Sequence, residues 1–201
     1  LARKMVQSGS NELARGMQSG QWPADVGRQL ADVQKQFALL NQLTAAPATQ
    51  TALVVAASEQ ADRTLLVAQT VTESIEKMAQ APSARLVNLA GRQRMLSQRL
   101  AKNYFLNAAK VESKVVQAQL VADAADFRQA LQTLKAAPVS TPAIRSELEL
   151  ADSQWLFFDS ALRRPADDAG LSAVATTSER LLGVMDKLTS LYEAALREVL
   201  G

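Results

Sequence analysis

The chain has 201 residues, of which 48% are hydrophobic and 4% aromatic, and its formal net charge is +2. This composition supplies a buried core for one large domain or two small ones, and its many alanine, leucine, glutamine and valine residues favour helix packed on helix over a sheet. Because the sequence contains no histidine, it excludes a Ser-His-Asp triad, a histidine general base and a zinc site built on imidazole.

The first half of the chain is typical of three helices. Residues 1–17 form the first, which ends at Ser19 and Gly20. Residues 25–43 form the second, an amphipathic helix whose apolar side chains recur four and three residues apart. A long third helix covers residues 51–79 and ends before Pro82, because proline lacks the amide proton and disfavours helical geometry in the residue before it.

The second half predicts four more helices. They cover residues 84–110, the stretch from the break at 111–113 to residue 134, residues 142–162, and the stretch after a loop at 164–170. Ser83 is the predicted N-cap of the first and Thr141 that of the third. The last two helices carry apolar stripes with strict four-three spacing, which are Ile144, Leu148, Ala151, Trp155, Phe158 and Leu162, then Val174, Ser178, Leu181, Met185, Leu188, Tyr192, Ala195 and Val199. Such heptad regularity is what a left-handed antiparallel bundle needs.

Short internal matches indicate a duplication. Residues 40–47 resemble residues 131–138, and residues 61–66 resemble residues 151–156. In this register residues 1–80 form a first helical-bundle unit that lacks a copy of the segment 88–102, and residues 81–201 form a complete second unit. We therefore predict an all-α fold of antiparallel four-helix bundle units in tandem, elongated, with a nearly continuous helical connection around Pro82.

The sequence also bears on the cellular compartment. No apolar run approaches the roughly 18 to 20 residues of a membrane span. Since the sequence opens on Leu1 instead of Met, we expect that a signal peptide or a transmembrane anchor preceded it. The absence of cysteine fits a periplasmic or secreted protein, although it is also common in cytosolic ones.

Residues 88–102, which we call the box, carry the most distinctive pattern of the chain. In a helix the surrounding stretch has a mostly apolar face, formed by Leu89, Gln93, Leu96, Leu100 and Asn107. A second face, the small-residue stripe, consists of Val87, Ala90, Arg94, Ser97, Ala101, Tyr104 and Ala108, with Gly91 beside it. Because small residues let another helix backbone approach closely, we expect Arg94 to be partly desolvated and to meet an anion.

The charge pattern around the box supports an anion partner. Between residues 77 and 111 there is no aspartate or glutamate, and seven residues are basic. A local excess of this size in a nearly neutral chain is a patch that selects for anions.

The box sequence NLAGRQRMLSQRLAK closely resembles the signature helix of the PilJ-type domain, the N-terminal sensing domain of type IV pili methyl-accepting chemotaxis transducers. It is more distantly similar to the conserved box of nitrate/nitrite sensor histidine kinases, roughly A-G-x-x-R-M-x-S. The resemblance implies a four-helix bundle outside the inner membrane, in which the box arginine binds nitrate across a two-fold dimer interface. Matched residue by residue, the pattern falls on Ala90, Gly91, Arg94, Met95 and Ser97, so the anion-binding role falls on Arg94.

The candidate ligand-binding residues are therefore Arg94, Gly91, Ser97 and Gln98. Ser97 and Gln98 can donate hydrogen bonds to an oxyanion, although packing is the alternative role for Ser97. Arg92 is expected to face solvent and to add to the positive electrostatic potential without contacting the anion. The same is expected of Arg99. We expect no cofactor and no metal.

Three aromatic residues and a pair of aspartates could have functional roles, but structural roles explain them more simply. Trp155, Phe157 and Phe158 could stack a ligand, but their spacing predicts that they belong to the core. Asp167 and Asp168 lie in a loop with proline and glycine and indicate a turn instead of an acid/base couple. Nothing in the sequence resembles a nucleophile elbow or a phosphate loop, so we expect no enzyme.

Two functional classes remain. The favoured one is a non-catalytic periplasmic sensor or binding module in chemotaxis signal transduction, a homodimer that binds a small oxyanion, nitrate or nitrite, at its interface. The alternative is a structural or protein-protein interaction module that dimerises through the box helix and binds no small ligand. Nucleic-acid binding is disfavoured, because the basic patch lacks interleaved aromatic residues and a groove-reading motif.

Overall fold

A computed structural model describes residues 11, 14–17, 20–45, 51–111, 113–138 and 141–200. These contain six long helices, which are α1 (Ala24–Ala45), α2 (Thr51–Ala79), α3 (Pro82–Ala108), α4 (Ser113–Lys135), α5 (Pro142–Leu162) and α6 (Asp168–Leu200). Residues 14–17 are also helical, and none of the described residues lies in a strand. The predicted all-α class is confirmed. The helix predicted over residues 1–17 lies mostly outside the described residues.

The chain divides into two compact units, Leu1–Ala79 and Gln80–Gly201. In the first, α1 and α2 pack against each other around Val26, Leu30, Val33 and Val71. The three residues from α1 belong to the four-three pattern predicted for residues 25–43, so that pattern does mark the buried face. The duplication, the missing box of the first unit and the elongated tandem arrangement stay predictions.

The second unit is a four-helix bundle. Helix α3 packs on α4 and α6, α5 packs on α6, and α4 makes a smaller contact with α5. Contacts along α3 show the directions, because residues 92 and 99 pair with residues 126 and 123 of α4, and residues 91 and 98 meet residues 189 and 178 of α6. Both neighbours therefore run antiparallel to α3.

The heptad stripes of α5 and α6 form most of the core of this bundle. The first five members of the α5 stripe and the first seven of the α6 stripe are buried. Phe127 of α4 stacks on Trp155 with ring centroids 4.3 Å apart, and Phe158 meets Trp155 edge-on at 6.2 Å. The prediction that Phe157 is also core is wrong, since 62% of it is exposed. It lies between two stripe positions and so points away from them.

Two helix starts differ from the prediction. Helix α3 begins at Pro82 with Ala81 as N-cap, not after Ser83, because proline needs no amide partner in the first turn. Helix α6 begins at Asp168, inside the predicted loop, where the backbone N–H of Gly170 donates to Asp167 Oδ1 at 2.8 Å. The predicted cap of α5 is confirmed, since the Ile144 N–H donates to Thr141 Oγ1 at 3.2 Å.

The end of α3 is fixed to the turn between α5 and α6 through Tyr104. Its buried hydroxyl donates to the carbonyl oxygens of Arg164 and Pro165, at 3.1 and 3.0 Å. The pKa of Tyr104 is raised above its ordinary value. Burial of the hydroxyl is the larger cause, and the nearby Asp167 carboxylate is the second. A Cβ at Gly170 would come within 2.0 Å of the Pro165 carbonyl oxygen, so this close approach requires glycine.

Candidate functional site

The box lies on α3, and its small-residue stripe faces the inside of the chain. Ala90 and Ser97 are fully buried, and Ala101 and Tyr104 are nearly so. Helix α6 packs beside Gly91, since a Cβ at this glycine would make an ordinary van der Waals contact with the Thr189 methyl at 4.0 Å. The stripe therefore belongs to the core of its own bundle.

Arg94 is the exposed member of that stripe. Its Nη2 atom lies 3.0 Å from Oδ1 of Asp186 on α6, and the two side chains are 45% and 59% exposed. An ion pair this open to water contributes about 0 to 1 kcal/mol to stability. The Arg94 guanidinium can therefore exchange this carboxylate for another anion at little cost.

The other candidate residues divide between this edge and the interior. Gly91, Arg94 and Gln98 all meet α6, and the Gln98 side-chain amide donates to the Ser178 carbonyl oxygen at a long 3.4 Å. Ser97 is buried, and its hydroxyl donates to the carbonyl oxygen of Arg94 at 2.8 Å. The structure thus brings three of the four candidates to one edge and places Ser97 in the interior.

The expectation that Arg99 faces solvent is wrong. Its Nε and Nη2 atoms donate to the two carboxylate oxygens of Asp123 on α4, at 2.7 and 2.6 Å, and Asp123 is 1% exposed. Gln119 donates to the same carboxylate at 2.8 Å. Arg99 is a structural residue that joins α3 to α4.

Arg92 also meets α4, although at the surface. It pairs with Asp126 at 3.1 Å, and the side chains are 39% and 51% exposed. With Arg94 and Arg99, at least three of the seven basic residues around the box have a carboxylate partner on a neighbouring helix. The patch that is free of acidic residues in the sequence is thus partly neutralised by packing.

A groove between α3 and α4 is lined by a buried polar residue on the mostly apolar face of α3. Gln93 is fully buried, and neither its side-chain oxygen nor its nitrogen has a hydrogen-bond partner in the described part of the chain. The groove has a volume of about 210 Å³, with Arg85, Arg92 and Asp126 among its lining residues. A glutamine among leucines on a core face was the sequence signal for it.

Metal-ligand clusters and membrane-spanning helices are both absent from the described residues. No three acidic side chains among them come close enough together to hold a metal ion. None of the helices described is both long and apolar enough to cross a membrane. What the box helix offers is a charged planar guanidinium on one edge and an unpaired buried amide on the other.

Comparison with known families gives one match. The sequence profile described as "Type IV pili methyl-accepting chemotaxis transducer N-term", named PilJ, matches residues 78–183. This range is more than half of the chain and covers the whole of α3, α4 and α5, including the box. No curated protein and no solved structure matches the chain. The chain therefore belongs to the PilJ family, the sensory and signalling N-terminal domain of type IV pili methyl-accepting chemotaxis transducers.

Proposed function

We propose that this PilJ domain is a non-catalytic periplasmic sensor module that binds a small oxyanion, nitrate or nitrite, through Arg94. The observation that carries the proposal is the position of the Arg94 guanidinium, which is exposed at the α3–α6 edge and held in an exchangeable ion pair with Asp186. A guanidinium stays charged at any relevant pH and presents paired donors in one plane.

The shape of the ligand follows from this chemistry. A planar trigonal oxyanion can accept two parallel hydrogen bonds from one guanidinium, which lysine cannot imitate. The amide of Gln98, one turn further along α3, has a long and therefore weak bond to Ser178 and can turn to donate to the anion. Gly91 keeps this edge free of a side chain on the turn before Arg94.

We further propose that the binding form is a homodimer that pairs through the exposed α3–α6 edge instead of the buried small-residue stripe. Two-fold symmetry would bring two Arg94 side chains together. At about 6 Å and an effective dielectric of about 20, their repulsion is on the order of 3 kcal/mol, which each Asp186 offsets in part. One anion between them would attract both, so by linkage the anion favours the dimer and the dimer binds the anion more tightly.

An anion titration followed by sedimentation tests this function. The parent protein is titrated with nitrate, nitrite, chloride and sulfate at fixed ionic strength by isothermal calorimetry, and then sedimented with and without the anion that binds best. We expect nitrate or nitrite to bind and to shift the chain towards dimer. A stable dimer that binds none of the four anions would instead support the interaction module without a ligand.

A further inference from the structure

Gln93 is an unusual residue for the interior of a helical bundle. Its side chain is fully buried, and both polar atoms of its amide lack a hydrogen-bond partner among the described residues. Leaving buried donors and acceptors unpaired destabilises a fold, and most buried polar groups are satisfied. Leu89, Leu96 and Leu100 share its face of α3, so an apolar side chain would suit the same position at lower cost. This suggests that the amide serves a ligand.

The groove above Gln93 is charged at its rim. Arg85 and Arg92 of α3 and Asp126 of α4 are among the residues that line its volume of about 210 Å³. Two positive groups and one negative group leave one net positive charge. The walls also include Leu89 and Ala130, so the groove offers both apolar and polar contacts.

Access to the amide requires one rim side chain to move. Gln93 has no exposed surface, but Arg92, the residue before it, is 39% exposed. The ion pair between Arg92 and Asp126 is 3.1 Å long and open to water, so breaking it costs little. A ligand carboxylate can therefore take the place of Asp126 on Arg92, at the rim of the groove that Gln93 lines.

We propose that this groove is a second ligand site, within one subunit, for a small carboxylate that carries a hydroxyl or amino group on the adjacent carbon. The net positive charge of the rim suits one carboxylate. The amide needs an acceptor for its Nε2 hydrogens and a donor for its Oε1 lone pairs. A carboxylate with a neighbouring hydroxyl or ammonium group supplies both, whereas nitrate has no donor and would leave Oε1 unpaired.

This site is separate from the one at Arg94 and does not depend on it. Gln93 lies on the α4 side of α3, and Arg94 lies on the α6 side. A variant at one residue should therefore leave binding at the other intact.

The experiment titrates the whole chain with lactate, alanine and propionate by isothermal calorimetry. Lactate carries the hydroxyl, alanine carries the ammonium group, and propionate has the same carbon skeleton without a donor. We expect lactate or alanine to bind, propionate to bind at least about tenfold more weakly, and Gln93→Leu to abolish binding. Arg94→Ala should bind the same ligand as the parent does.

The stability of the variant separates loss of a ligand contact from loss of the fold. Because Gln93→Leu removes an unpaired buried amide, its thermal unfolding midpoint should be equal to or above that of the parent. If Gln93→Leu is less stable than the parent, Gln93→Met, which keeps an unbranched side chain, is used in its place. The proposal is overturned if none of the three compounds binds the parent, if propionate binds as well as lactate and alanine, or if both Gln93 variants bind like the parent.

Discussion

Replacing Asp186 with asparagine should tighten nitrate binding. In the folded chain the Asp186 carboxylate occupies the Arg94 guanidinium at 3.0 Å, so a bound anion has to take its place. Asparagine keeps the size of the side chain but removes the charge that competes with the ligand. The same change would weaken binding if Asp186 instead served to orient Arg94.

The magnitude follows from two contributions. The exposed ion pair that nitrate must break contributes about 0 to 1 kcal/mol. Repulsion between the Asp186 charge and an anion about 6 Å away, in a water-like dielectric, adds about 0.7 kcal/mol. Taken together, about 1 kcal/mol of competition disappears in the variant, which corresponds to an affinity about fivefold higher.

Calorimetric titration with nitrate at fixed ionic strength measures this change. Asp159→Asn is the matched control, because Asp159 also pairs with an arginine at the surface, Arg163 at 2.8 Å, but on α5. We expect the control to bind nitrate like the parent. An Asp186→Asn variant whose affinity is unchanged or lower would refute the competition between this carboxylate and the ligand.

Three predictions concern the bundle itself. Arg99→Ala should lower the free energy of unfolding by about 3 kcal/mol in denaturant titration, since it leaves the buried Asp123 carboxylate of α4 without its cation; a loss below about 1 kcal/mol would contradict this. Phe158→Ala should cost about 3 to 5 kcal/mol in the same assay and the exposed Phe157→Ala less than about 0.5 kcal/mol, so equal losses would place the core elsewhere. Because burial raises the pKa of Tyr104, the folded state holds this proton more tightly than the unfolded state. The stability that comes from this tighter proton binding is fully present below about pH 10 and is lost as the pH rises through the pKa of the folded state. We therefore expect Tyr104→Phe to lose less stability than the parent at alkaline pH.

Patterns within single helices predicted the fold well. The four-three stripes of α5 and α6 became the core because a repeat of about 3.5 residues keeps one face of a helix towards its neighbours. Thr141 followed by Pro142 predicted the start of α5, because an N-cap residue and a proline in the first turn are signals of the local sequence. The spacing prediction is wrong for Phe157, because this residue lies one position off the stripe and its side chain is exposed.

Contacts between distant segments could not be predicted in this way. The carboxylate partner of Arg99 lies 24 residues along the chain, and that of Arg94 lies 92 residues away. No local window contains both members of either pair, so the stretch around the box looked free of acidic residues. The small-residue stripe correctly indicated a close helix neighbour, but only the fold shows that the neighbour is α6 of the same chain.

Binding of a small oxyanion by Arg94 is tested most directly by one titration. Nitrate is titrated into the parent protein, into Arg94→Ala and Arg94→Lys, and into Arg128→Ala, which removes the same charge from an exposed position on α4. We expect that Arg94→Ala loses binding, that Arg94→Lys binds much more weakly because lysine lacks the planar fork of donors, and that Arg128→Ala binds like the parent. An Arg94→Ala protein that binds nitrate with the affinity of the parent would contradict this role of Arg94 and place the site elsewhere on the chain.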